Sequence, residues 1–230
     1  MTRSAFVVTM LVASQVVAQD GSWSRPLAAA GVRDERLLRA MEQVHRSDFL
    51  PASQRPFAME DRPLPIGHAQ TTSQPTLIAQ MIEAMKLRPG CTVLEVGTGS
   101  GYQTALLARL CTHVYSIDIV EPLALEAKER LARLGYVNAA VKAGDGYLGW
   151  PEHAPFDGIV VCAAAPKVPA PLLAQLRKGG RLVIPVDEGE DAQLLIFEKD
   201  AAGKVSQTKS LPVRFVPLLG ENADRDRQAR

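Results

Sequence analysis

The sequence predicts an α/β fold. It calls for a doubly wound, mostly parallel sheet with antiparallel C-terminal strands, and for N-terminal helices and a proline-rich loop that cap one edge. Three observations carry this expectation. Short apolar strands alternate with helical segments from Cys91 onward. A glycine-rich turn joins the first of these strands directly to a helix. No strong helix separates the last two strand candidates, which calls for an antiparallel ending.

In chain order, Arg3 and the apolar stretch Ala5–Ala18 come first. They read either as an N-terminal helix leading into the fold or as an export signal cut after Val16-Val17-Ala18. Between Gly31 and Leu50, a charged Arg33–Arg36 run precedes Leu37, Leu38, Met41 and Val44 at helical spacing, and Pro51 stops the helix. Pro51–Pro75 is rich in proline, lacks sustained periodicity and reads as an ordered loop. Pro75 then opens a helix over Thr76–Met85, at the position where a missing N–H costs least.

Beyond Lys86 the alternation begins. Cys91–Val96 and His113–Ile119 are strands, followed by helices at Tyr102–Leu110 and Pro122–Leu134; the second helix pairs Glu126 with Arg130. Val137–Lys142, Gly158–Cys162 and Arg181–Val186 supply further strands, and Pro169–Arg177 is a helix closed by Gly179-Gly180. Gln193–Glu198 and Leu211–Leu218 are the late strands, and the polar Glu221–Arg230 reads as a frayed tail. The expected organisation is a leading segment (1–30), one domain (31–220) and the tail. Within the domain, residues 31–85 form a cap and 86–220 a ligand-binding core.

Composition narrows the function classes. Hydrophobic residues make up 47% and charged residues 22% of 230, which excludes global disorder. Lys+Arg 26 against Asp+Glu 25 leaves a formal charge of +1, no footprint for a nucleic acid. No apolar run has the length of a membrane span, so neither nucleic acid nor membrane is an expected partner, and the chain is expected to be a monomer. Cys91, Cys111 and Cys162 lack metal-ligand spacing and sit in or beside apolar segments, so buried free thiols are expected and no metal site.

The chemistry concentrates at strand ends. In Glu95-Val96-Gly97-Thr98-Gly99-Ser100-Gly101, glycines allow a tight turn and let a ligand approach N–H groups at the start of a helix. The spacing is neither that of a dinucleotide fingerprint nor that of a phosphate loop. Glu95 repels a phosphate and suits a positively charged ligand. Asp118 ends the second strand, where an acid accepts hydrogen bonds from ribose hydroxyls. Gly144-Asp145-Gly146 ends the third and is placed to read an adenine edge. Together these ends form one crevice of a Rossmann-like sheet. They suggest S-adenosylmethionine, an adenosine without phosphates that carries a sulfonium cation.

These residues also resemble the protein-L-isoaspartate O-methyltransferase family over roughly Gly31 to Leu219. The most specific match is the proline-rich loop Leu64–Pro75 (LPIGHAQTTSQP), and Val93–Ala108 (VLEVGTGSGYQTALLA) is similar to the family's first methyltransferase motif. Further matches are Pro155-Phe156-Asp157, Ala163–Pro166, Gly179–Val186 and Val213–Leu218. The resemblance implies transfer of the methyl group of S-adenosylmethionine to the α-carboxylate of L-isoaspartyl residues in damaged proteins, which starts their repair through a succinimide. It implies Ser73 as the active-site serine, with Thr71 and Thr72 beside it on the cofactor side. Glu95, Gly97, Thr98 and Gly99 would hold the cofactor with Asp118, Asp145 and Gly146, while Ile66, Gly67 and His68 would border the peptide. The family commonly has isoleucine at position 72 and often glutamate at 118, where this chain has Thr72 and Asp118.

His68 invites a general-base role, but a substrate carboxylate already ionised at neutral pH needs no base. A methyltransferase of the same fold acting on a small molecule is the alternative. It explains the glycine turn and Asp118 and leaves the Ser73 loop unexplained. The resemblance implies a cytoplasmic protein, and that is the location expected; the periplasm is the alternative if Ala5–Ala18 is a cleaved signal.

Overall fold

The computed structural model describes residues 22–189 and 191–229. The apolar stretch Ala5–Ala18 lies outside them. Among the described residues no helix is long and apolar enough to cross a membrane.

The chain begins with α1 (Ser24–Ala29) and α2 (Glu35–Gln43). Asp34 caps α2 by accepting from Arg36 N at 2.9 Å. The helical pattern predicted up to Leu50 stops early. Val44 turns to ψ 100°, and Arg46–Phe49 form a 3₁₀ turn that buries both end residues. The proline-rich segment is also more structured than a loop. It holds a 3₁₀ turn (Ala52–Phe57) and a hairpin of β1 (Leu64–Gly67) and β2 (Gln70–Thr72), in register Leu64↔Thr72. Only a few residues pair, so the hairpin leaves no period-two pattern. Helix α3 (Pro75–Ala84) follows.

The core strands and helices come next: β3 (Thr92–Val96), α4 (Tyr102–Leu110), β4 (His113–Asp118), α5 (Glu121–Arg133), β5 (Ala139–Ala143), β6 (Phe156–Val161) and α6 (Ala170–Gln175). The chain closes with β7 (Leu176–Asp187), β8 (Ala192–Lys199), β9 (Val205–Val213) and α7 (Glu221–Gln228). The sheet order is β5-β4-β3-β6-β7-β8-β9, parallel through β7 and antiparallel for the β7–β8 and β8–β9 pairs. Alternation along the strands feeds two cores. Val93, Val160 and Val183 pack towards α1–α4, while Leu94, Ile159 and Leu182 pack towards α6 and the C-terminal segment. The order reverses around β3, which places a crevice at the carboxyl ends of β3, β4 and β6.

Several expectations are corrected. The last strand is Val205–Val213, not Leu211–Leu218, because an exposed edge strand carries no apolar alternation to read. Pro217 only bridges to Ala164. The predicted helix over Pro169–Arg177 ends at Gln175, since Leu176 already pairs with Phe156 in the sheet. Glu221–Gln228 is a helix rather than a frayed tail. Its Ala223 is fully buried, Asp226 pairs with Lys167 at 2.7 Å, and the Tyr147 hydroxyl donates to Asp226. Polar anchors of this kind leave no hydrophobic period.

The cysteines are not three free thiols. Cys91 and Cys111 form a disulfide, and only Cys162 is free. The βα unit itself explains the pairing. Strand β3 rises about 16 Å and α4 returns about 14 Å, so the chain comes back beside its starting point. The two Cα atoms end 4.7 Å apart although 20 residues separate them in sequence. Closing a loop of that size restricts the unfolded chain, so Cys111→Ser is expected to lower stability by about 2–4 kcal/mol in urea titration. Peptide mapping without reductant should recover Cys91 linked to Cys111 and Cys162 alkylatable after unfolding.

Candidate functional site

The turn after β3 is built by glycines. Gly97, Gly99 and Gly101 take φ of 95°, 53° and 85°, a region that penalises side chains. A Cβ on Gly97 would lie 3.1 Å from Cys162 Cβ, and one on Gly146 would lie 2.3 Å from Val96 Cγ1. Small residues therefore let the ends of β3 and β6 and the turn after β5 converge. Gly97 N donates to Ile117 O at 2.7 Å, tying the turn to β4.

Asp118 completes that tie. Its carboxylate accepts from Gly99 N at 2.7 Å and from Val120 N at 2.9 Å. Burial pushes its pKa up, and the two N–H bonds work against that shift. Below the turn, Glu95 is fully buried. Its Oε2 accepts from the Ser116 hydroxyl at 2.6 Å and from Thr104, while Oε1 has no partner. Burial raises its pKa to about 7, against the pull of those two hydroxyls and with a further push from Asp118. The Thr98 and Ser116 hydroxyls lie 2.6 Å apart, extending the network to the turn.

Above these groups lies a cleft that is partly open to solvent. Of the residues singled out in the sequence, Ile66, Thr71, Thr72, Ser73, Gly97, Thr98, Gly99, Asp118 and Gly146 line it. Glu95 lies beneath it. Asp145 does not reach it, since its carboxylate caps the following turn through Tyr147 N at 2.9 Å and accepts from Asn222 Nδ2 at 3.2 Å. Gly67 and His68 stand at the exposed hairpin tip, where His68 Nε2 is 3.6 Å from Glu126 Oε1.

Sequence reading missed part of the wall. Ile119 and Leu219 line the cleft with 39% and 43% of their surface exposed, which leaves apolar faces for a ligand to cover. Gln103, Cys162 and Val216–Leu218 also line it. The Val213–Leu218 motif was visible in the sequence, but its place emerges only when Ala164 binds Val216 O and Leu218 N. Burial pushes the Cys162 thiol up, which keeps it protonated and a poor nucleophile.

A second groove, likewise partly open to solvent, adjoins the cleft and runs between α3 and Leu211–Val216. Thr71, Ser73, Cys162 and Val216 line both spaces. The arrangement offers two adjoining spaces, both partly open to solvent, with Ser73 at the junction. The cleft also fits a ligand such as S-adenosylmethionine: glycines allow close approach, Asp118 keeps acceptor capacity, and a buried carboxylate oxygen below has no partner.

Comparison with known proteins agrees with this geometry. Residues 24–223 match the family described as protein-L-isoaspartate(D-aspartate) O-methyltransferase. Protein-L-isoaspartate O-methyltransferase 1 of Cupriavidus necator is 55% identical over 190 residues, covering 82% of this chain and 73% of its own. Protein-L-isoaspartate O-methyltransferase 2 of a Polaromonas species is 53% identical over 189 residues, covering 82% and 90%. A solved protein-L-isoaspartate O-methyltransferase superposes with a TM-score of 0.79 at 30% identity, over 89% of this chain and 68% of that one. One from Plasmodium falciparum, described as a putative family member in complex with S-adenosyl-L-homocysteine, gives 0.73 at 26% identity over 85% and 95%.

Glu95 makes stability depend on pH. Its folded-state value, raised to about 7, lies above that of an unfolded glutamate. Between the two values the folded protein holds a proton that the unfolded chain has lost, so stability falls as pH rises through that window. The loss attributable to this group is on the order of 3 kcal/mol. Urea midpoints measured between about pH 5 and 8 should therefore decline more in the wild type than in Glu95→Gln. Parallel curves for the two proteins would show that Glu95 titrates normally.

Proposed function

The chain belongs to the protein-L-isoaspartate(D-aspartate) O-methyltransferase family, and from that premise we propose which of its residues carry the activity. It is a methyltransferase that uses S-adenosylmethionine to methylate the α-carboxylate of L-isoaspartyl residues in damaged proteins, initiating their repair through a succinimide. The observation that carries the residue assignment is the position of Ser73 on the wall shared by the cleft and the adjoining groove.

When bound, S-adenosylmethionine supplies an electrophilic methyl group. The turn Gly97-Thr98-Gly99 and Gly146 would hold it from below, and Asp118 would accept from the ribose hydroxyls with the capacity left by its two N–H bonds. Ile119 and Leu219 have exposed apolar faces on the cleft wall that would cover the adenine. Asp145 acts through the turn it caps, which presents Gly146. The unpartnered Oε1 of Glu95 lies below the cleft as a free acceptor, and a positively charged ligand above it would favour the ionised form.

The nucleophile is the substrate's own carboxylate, so the chain supplies alignment rather than a base. The Ser73 hydroxyl donates to that carboxylate and holds one oxygen in line. Thr71 and Thr72 close the cleft beside it, and Ile66 from the hairpin shields it from water. Gly67 and His68 border the incoming peptide at the hairpin tip, with His68 held toward Glu126 rather than acting as a base.

Two features support a periplasmic location over the cytoplasmic one implied by the resemblance. The Cys91–Cys111 disulfide fits an oxidising compartment, and the leader-like Ala5–Ala18 precedes the fold. Export also requires the methyl donor to be supplied on that side of the membrane. N-terminal sequencing of the protein from its host should find a start near Gln19; a protein retaining Met1 in a cytosolic fraction with Cys91 and Cys111 reduced refutes export.

The activity is tested with radiolabelled methyl donor on an isoaspartyl peptide and its aspartyl twin. Only the first should be labelled. Ser73→Ala should slow labelling by about ten- to a thousandfold, with much less change in S-adenosylmethionine affinity. A covalent adduct on Ser73 that forms and decays at the catalytic rate would sink the alignment role.

A further inference from the structure

The loop that carries Ser73 is held by a residue far from it in sequence. Arg46 is 2% exposed in the 3₁₀ turn after α2. Its Nη1 donates to Glu60 O at 2.9 Å and, more weakly, to Ala58 O at 3.4 Å. Its Nη2 donates to Arg62 O at 2.9 Å and to Ser73 O at 3.1 Å. Three of these carbonyls belong to one stretch of the proline-rich segment, and the fourth is that of the serine itself. No carboxylate pairs with Arg46 among the described ion pairs.

Four carbonyl dipoles that point at one buried spot repel each other unless a cation with several spread donors sits there. A guanidinium meets that need with a planar fork of N–H groups, whereas an ammonium concentrates three donors on one atom. Burial lowers the Arg46 pKa to about 10, which leaves it charged at neutral pH. Nearby Tyr102, Asp61 and Glu60 favour the charge, and Arg62 opposes it.

We infer that Arg46 is a positioning residue for methyl transfer: it clamps the Ser73 carbonyl to the 58–62 segment and so sets where the serine hydroxyl stands between cleft and groove. The inference rests on the reading of Ser73 as the residue that aligns the substrate carboxylate. The local chain explains why this carbonyl matters. Thr72 is fixed by its pairing with Leu64. Thr76 is fixed by Asp61, which accepts from its N at 2.9 Å and its hydroxyl at 2.8 Å. Between them, Gln74 is held as well, its Nε2 donating to Asp61 Oδ2 at 2.8 Å and its O accepting from Ile78 N at 3.0 Å, which leaves the Ser73 carbonyl to Arg46. Arg46 holds it, and loss of that bond lets the backbone at Ser73 shift, which redirects the hydroxyl at the junction. A misplacement of about 1 Å in an aligning group is enough to cost on the order of a hundredfold in rate.

The test compares wild type, Arg46→Lys, Ser73→Ala and the double variant. It measures kcat and KM for an isoaspartyl peptide, S-adenosylhomocysteine affinity by calorimetry, and Tm. Arg46→Lys should lower kcat by about a hundredfold, with S-adenosylhomocysteine affinity held within about threefold. In the Ser73→Ala background the same change should cost little further rate, because the hydroxyl it positions is gone. Losses that add in full, or an Arg46→Lys protein whose cofactor affinity falls as far as its rate, overturn the coupling and make Arg46 a general structural residue. A Ser73→Ala enzyme with undiminished rate overturns the serine's role first, and the coupling with it. If Arg46→Lys does not fold, Arg46→Gln, which keeps a planar head with two N–H donors, carries the same comparison.

Discussion

One buried carboxylate holds the two catalytic-edge turns together. Asp118 ends β4 and accepts N–H groups from Gly99, in the turn after β3, and from Val120, at the start of α5. The crevice has its width because these two turns share that anion. The anion in turn stays chargeable because the two N–H groups offset part of its burial. Glu95 lies close enough to feel the same charge and has one oxygen without a partner. Two desolvated acids under one cleft disfavour each other's ionised forms, and a positively charged ligand relieves both. That preference separates this glycine turn from the phosphate-binding turns it superficially resembles.

The cap depends on a different economy of polar groups. Proline supplies few N–H donors, so the 51–75 segment has carbonyls that no regular ladder can satisfy. Arg46 gathers several of them, and Asp61 serves the start of α3, whose own cap residue Gln74 makes no capping bond. The cap is therefore ordered by the buried Arg46 and the half-buried Asp61 together with its 3₁₀ turn and short hairpin. It forms part of the wall of both the cleft and the neighbouring groove, and Ser73 stands where the two spaces meet.

Stabilising features gather away from this edge. The Cys91–Cys111 bond joins the start of β3 to the end of α4, at the opposite end of the sheet from the glycine turn. Helix α7 instead supports the cofactor side from behind. It packs on the turn that Asp145 caps and on Tyr147, and Arg227 donates to Leu218 O just before the helix. Leu218 and Leu219 are thus held as part of the cleft wall by the last turns of the chain.

The sequence by itself determined the alternation of strands and helices, the glycine turn, the acid at the end of β4 and the loop that carries Ser73. Each is a local pattern: apolar periodicity, residues tolerant of positive φ, or a short contiguous motif. The tertiary structure alone decided the rest. The hairpin and the edge strand β9 are too short or too exposed to leave a period, and α7 is anchored by polar contacts that look like a solvated tail. The disulfide exists because a strand and its returning helix have similar lengths, a fact of geometry that Cys spacing does not announce. Asp145 illustrates the converse: its motif was legible, yet its carboxylate faces Asn222 and its own turn. Arg46 is the clearest case, since nothing in its neighbours forecasts a buried cation. Its partners are backbone carbonyls, which every residue possesses, and only folding brings those four to one point.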